Sequence, residues 1–105
     1  MQAVRDGVTD RARGERVQEL ERLTLRVAVM HEICRELAPY RTDETATISG
    51  QTVLYKDLSI DSLAVMDIIL NLEDRFDVAI PINVVAEIHT ADQLADAILI
   101  QRTRH

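Results

Sequence analysis

The sequence has no tryptophan and only three other aromatic residues, Phe76, Tyr40 and Tyr55, so any core it buries must be aliphatic. Its single cysteine, Cys34, excludes an intramolecular disulfide and a multi-cysteine zinc site and is compatible with a reducing cytoplasm. Three glycines and two prolines are too few for a turn-rich β architecture, and the abundance of Ala, Leu, Ile, Val, Glu and Arg favours an all-α fold. No apolar run approaches the roughly 20 residues needed to span a bilayer. The first seven residues also lack the apolar segment of a signal peptide, so the expected location is cytoplasmic, without stable membrane insertion.

The chain is 105 residues long, which suits one compact domain, and it carries a net charge of −6. That charge is unevenly distributed. Residues 42–98 hold eleven acids against Lys56 and Arg75, whereas the first 41 residues hold eight arginines and seven acids. An acidic body repels nucleic acid and anionic membrane and favours basic protein surfaces. Small size and this charge make a monomer the default expectation.

Residues 1–14 contain Gly7, Gly14 and little periodic apolar content, so they are expected to form a flexible N-terminal arm. From Glu15 onward, Val17, Leu20, Thr24, Val27, Met30, Cys34 and Leu37 recur at spacings of three and four. This predicts one face of a long first helix that ends before Pro39. Within it, 15–24 reads as an N-terminal extension and 25–101 as the domain proper, followed by a tail at 102–105. Residues 39–58 read as a long loop, with Val53, Leu54 and Leu58 as anchors to the core. A second helix is expected from Asp61 or Ser62 to near Asp77, capped by Ser59 or Asp61. After the break at Pro81, a short helix over 82–88 and a last one over 91–101 complete the pattern, the last turning Leu94, Ala97 and Ile98 inward.

Several chemistry-bearing residues have plain structural readings. Cys34 lies on the apolar stripe and reads as a buried thiol rather than a nucleophile. His31, His89 and His105 are scattered, without ligand spacing, so neither a metal site nor a catalytic base is expected. No phosphate-cradling glycine loop or nucleophile–base pair is visible, and no catalytic residue is assigned. Ser62 could be nothing more than a helix cap.

The stretch Asp57-Leu-Ser-Ile-Asp-Ser-Leu63 resembles the Asp-Leu-Gly-x-Asp-Ser-Leu site of acyl carrier proteins. The continuation from Leu63 through Glu73-Asp-Arg-Phe76 to Ile80-Pro81 is similar in register to that family's second helix and its ending. The likeness covers roughly residues 25–100. It implies a small four-helix bundle of three main helices and a short third one, here with an extended N-terminal helix. It also implies that the Ser62 hydroxyl carries 4'-phosphopantetheine, flanked by Asp61 and Leu63, and that the chain is a substrate of a phosphopantetheinyl transferase rather than an enzyme.

The same resemblance implies that Asp61, Asp67, Glu73 and Asp74 meet basic surfaces on acyl-loading and acyl-transfer enzymes. Leu63, Met66 and Leu70 would flank the arm, and Ile68, Ile69, Leu72 and Phe76 would face the core. Where the family commonly has glycine the chain has Ser59, where an acid is frequent it has Ala64, and Arg75 reverses a charge at the helix end. Ile82, Asn83, Val84 and Val85 replace an acidic third-helix surface with a mostly apolar one. These departures imply a specialised carrier, for a dedicated lipid or secondary-metabolite pathway, with Ile82 among its partner contacts. The competing readings are an aminoacyl or peptidyl carrier of a nonribosomal peptide type system, whose usual Gly-Gly-x-Ser-Leu site is absent here, and an unmodified carrier-like interaction module.

Overall fold

The computed structural model describes the backbone of residues 2–103 and the side chains of residue 14 and residues 16–102. Among the described residues five α-helices occur in chain order: α1 (Gln2–Leu37), α2 (Leu54–Asp57), α3 (Ser62–Phe76), α4 (Ile82–Val85) and α5 (Ala91–Thr103), with a 3₁₀ turn at Ala38–Tyr40. No strand occurs among the described residues, and the all-α expectation holds. His105 lies outside the described residues, and α5 runs into the segment expected as a tail.

The long helix differs from its sequence reading in two ways. Its backbone is already helical from Gln2, through the segment expected as an arm. Glycine costs about 1 kcal/mol relative to alanine, but extending an existing helix avoids the cost of nucleation. The second difference is rotational. The face that enters the core is Val29, Ile33 and Leu37, all fully buried, with Leu25 and Met30 packed at its edge. Val17, Leu20 and Val27, expected on the inward stripe, are 45%, 61% and 69% exposed. The helix has two apolar stripes, and a pattern of threes and fours alone does not say which one meets the body.

Against that inward stripe pack α5, α3 and the 3₁₀ turn. From α3 come Val65, Ile68, Ile69 and Leu72, and from α5 come Ala91, Leu94, Ala95, Ala97 and Ile98, all buried. Each large aliphatic side chain removed from water contributes about 1.5–3 kcal/mol, and the alanines let α5 approach closely. Phe76 is only partly buried at the edge of this cluster.

Polar links hold the outside of the same contacts. Arg26 spans α1 to α5, its Nη1 2.7 Å from Asp96 Oδ1 and its Nη2 3.1 Å from Asp92 Oδ1. Asn71 Nδ2 donates to Glu36 Oε1 at 2.9 Å. Arg75 Nη1 lies 3.0 Å from Glu32 Oε2.

The segment 39–58 is a loop tied down as expected, with one addition: residues 54–57 turn into α2. Leu54 and Leu58 are the buried anchors, whereas Val53 is only half-buried. Leu54 N–H donates to His89 O at 2.9 Å and Ala91 N–H to Thr52 O at 3.1 Å, so the loop is laced to the start of α5. Close by, Asp92 N–H donates to Gly50 O at 2.8 Å. A Cβ at position 50 would fall on the Asp92 carboxylate, which would have to swing away from its place beside Arg26. The carboxyl of Asp43 is held below the usual carboxylate range by hydrogen bonds from the Thr45 hydroxyl and backbone N–H.

The start of α5 is fixed by a capping box that the sequence reading did not identify. Gln93 N–H donates to Thr90 Oγ1 at 3.2 Å, and Gln93 Oε1 accepts from His89 N–H at 2.7 Å and Thr90 N–H at 3.1 Å. The helix α4 is shorter than the 82–88 expected, closing on Pro81 O through the N–H groups of Val84 and Val85.

Candidate functional site

The start of α3 is built by Asp61. Its backbone is extended, its Oδ1 accepts from Ala64 N–H at 2.8 Å and its carbonyl accepts from Val65 N–H at 3.0 Å. These are the bonds of an N-cap, so capping belongs to Asp61 rather than to Ser59 or Ser62. Ser62 therefore occupies the first helical position, exposed, and its hydroxyl makes no hydrogen bond to another described residue. The reading of Ser62 as a cap is set aside by this geometry.

Because the first N–H groups of a helix have no partner inside it, those of Ser62 and Leu63 point out beside this hydroxyl, at the positive end of the helix dipole. That setting suits a phosphodiester esterified to the serine oxygen, since anions are stabilised at helix N-termini. Ile60, buried just before the cap, and Val65, buried just after, pin both sides of the turn to the core. A rigid base with an outward-facing hydroxyl results. A shallow hollow beside it is lined by Tyr40, Tyr55, Ser59, Ile60, Asp61 and Ala64.

One face of α3 continues outward from the serine. Leu63 is 73% exposed and Leu70 55%, with Met66 half-buried between them, and Asp67 and Asp74 are exposed on the same side. The spacing 63, 66, 67, 70, 74 is that of a single helical face. Ile82, 77% exposed, opens α4.

Glu73, assigned to partners from sequence, and Arg75, read as a departure from the family pattern, both have work inside the fold. Glu73 is half-buried, and its Oε2 accepts from Ile80 N–H at 2.6 Å while its carbonyl accepts from Val78 N–H at 3.0 Å. It closes the turn after α3, where Asp77 takes a left-handed conformation with φ 54°. Arg75, read as a charge reversal at the helix end, is paired with Glu32 of α1. Neither role was visible in sequence, because Glu73 depends on how the chain turns after α3 and Arg75 on α1 being brought alongside.

Cys34 is half-buried on α1, and burial pushes its thiol above the ordinary cysteine range. Among the described residues no cluster of His, Cys, Asp and Glu could hold a metal ion, and no helix is long and apolar enough to cross a membrane.

Residues 28–98 match the family model described as the phosphopantetheine attachment site. A protein of Caulobacter vibrioides (strain NA1000 / CB15N) named "Probable acyl carrier protein" is 42% identical over 57 residues, covering 54% of this chain and 66% of that protein. The "Acyl carrier protein" of Tropheryma whipplei (strain Twist) is 32% identical over 72 residues, covering 65% of this chain and 88% of that one.

Proposed function

The chain belongs to the acyl carrier protein family, carriers rather than catalysts with 4'-phosphopantetheine as their cofactor, and we propose that it bears this group on Ser62 and conveys acyl intermediates as thioesters. The observation that carries the reading is the division of labour at the start of α3. Asp61 satisfies the cap, which leaves the Ser62 hydroxyl exposed among free backbone donors. The bound group supplies the thiol and the acyl activation. The chain supplies a fixed attachment point, an anion-stabilising helix end and a recognition face.

That face has two parts. Leu63, Met66 and Leu70 give it an apolar strip next to the serine, and Asp67 and Asp74 give it negative charge toward a phosphopantetheinyl transferase and acyl-handling enzymes with basic surfaces. Single exposed charge pairs contribute about 0–1 kcal/mol, so the acids steer encounter more than they hold the complex. Glu73 acts on this face through the turn it closes.

Exposed Ile82, in place of an acidic surface, supports service in a dedicated lipid or secondary-metabolite pathway with more apolar partners. Two experiments test the reading. Fragmentation mapping after incubation with coenzyme A, magnesium and a broad-specificity transferase should place the modification on Ser62 itself, and modification at Ser49 or Ser59 would refute it. Efficient elongation by general fatty-acid synthesis enzymes would count against the dedicated pathway.

A further inference from the structure

The helix α1 carries a second apolar face that the helical body leaves uncovered. On the side of the helix opposite Leu25, Val29, Ile33 and Leu37, residues Val17, Leu20, Thr24, Val27, His31 and Cys34 recur at alternating spacings of three and four. All are exposed except half-buried Cys34, and shallow hollows run along them, one lined by Val17, Leu20 and Ala28 and the next by Val27, His31 and Phe76. The spacing is a heptad, with 17, 24 and 31 at positions a and 20, 27 and 34 at positions d.

The flanking residues indicate what covers this face. Position g before the first heptad is Arg16 and position e within it is Glu21, both exposed. In a parallel two-stranded coil a g residue faces the e residue five further along on the other strand, so two copies would form two Arg16–Glu21 pairs related by symmetry. The next g and e residues, Leu23 and Ala28, are exposed and apolar, and the same geometry pairs them across the seam. The rim of this face is thus mixed in charge and complementary to itself. The exposed face of α3, bordered by Asp67 and Asp74, is of one sign and fits a basic partner instead.

We propose that α1 joins two copies of this chain in a parallel, in-register dimer along Val17, Leu20, Thr24 and Val27, contrary to the monomer expected from size and charge. The seam ends where the register places Asp10 and Arg13 at a and d, so it runs from Val17 to Cys34, about 26 Å at 1.5 Å per residue. Thr24 and His31 at a positions weaken the seam and fix its register, which makes the dimer reversible. It shares no residue with the α3 face and does not depend on the role of Ser62.

Sedimentation of the full chain over a wide concentration range tests this. The wild type should dimerise with rising concentration. Leu20→Glu and Arg16→Glu should each raise the dimer dissociation constant, the first at least about tenfold. The pair Arg16→Glu with Glu21→Arg should recover dimerisation, which only the parallel register allows. Circular dichroism checks that each variant folds, since the changed residues are exposed in the monomer. A wild type that stays monomeric, a Leu20→Glu variant that dimerises equally, or no recovery in the charge swap overturns the proposal. It is equally overturned if the wild type stays monomeric while Leu20→Glu abolishes binding to an acyl-handling enzyme, which would assign the face to that enzyme.

Discussion

Replacing Arg75 with alanine should destabilise the fold by about 1–2 kcal/mol, more than an exposed charge normally contributes. The Glu32 side chain keeps only 19% of its surface exposed, and its Oε2 is buried with no hydrogen bond aimed at it. The guanidinium of Arg75, 3.0 Å away, supplies charge neutralisation rather than an aligned bond. Its removal takes the nearest cation from that oxygen. Taking the cation from a half-buried carboxylate costs more than the about 0–1 kcal/mol of an exposed pair and less than the about 3–5 kcal/mol of a fully buried one. Arg35, 3.5 Å from the other oxygen, can shift toward it and holds the cost to the lower part of that range. Urea denaturation followed by circular dichroism reads the loss directly, and a domain of this size should melt about 4–8 °C lower per kcal/mol. Glu32→Gln removes the charge that needs Arg75, so the double variant should lose less than the sum of the single losses. A cost within error of zero for Arg75→Ala, or strict additivity with Glu32→Gln, would refute the clasp and leave Arg75 an exposed surface charge.

Asp61→Ala should cost about 1 kcal/mol by removing the α3 cap, measured as a lower denaturation midpoint, while the Ser62 hydroxyl remains available for modification. Leu72→Ala, at a fully buried position between α3 and the rest of the core, should cost about 2–5 kcal/mol in the same assay, and a loss under 1 kcal/mol would mean that the site collapses around the gap. The raised thiol of Cys34 holds less thiolate at a given pH than a free cysteine. Its alkylation by iodoacetamide near pH 8 should therefore be slower than that of a small thiol, and should rise to the free rate on unfolding.

Local patterns in the chain were enough to read α3, α5 and most of α1 and to single out Ser62 as the candidate site. The apolar period of α3, the break at Pro81 and the inward Leu94, Ala97 and Ile98 of α5 are written in the local order of residues, and composition favoured helices over a turn-rich β fold and excluded an intramolecular disulfide. Ser62 stood out because the resemblance around it extended over a whole helix and its ending. What stayed hidden depends on distant residues. The rotation of α1 is decided by which stripe α3 and α5 cover, and the engagement of Arg75 is decided by Glu32 of α1. The cap at Thr90 was legible in principle, since Thr90 with Gln93 three residues later is a capping box in the sequence itself.

The most direct test of the carrier reading is the intact mass of the purified protein before and after incubation with coenzyme A, magnesium and a broad-specificity phosphopantetheinyl transferase, with Ser62→Ala treated in parallel. The account predicts that the wild type gains one phosphopantetheine and the variant gains none. A wild type unchanged by several transferases, or a variant that gains the same mass, would contradict it.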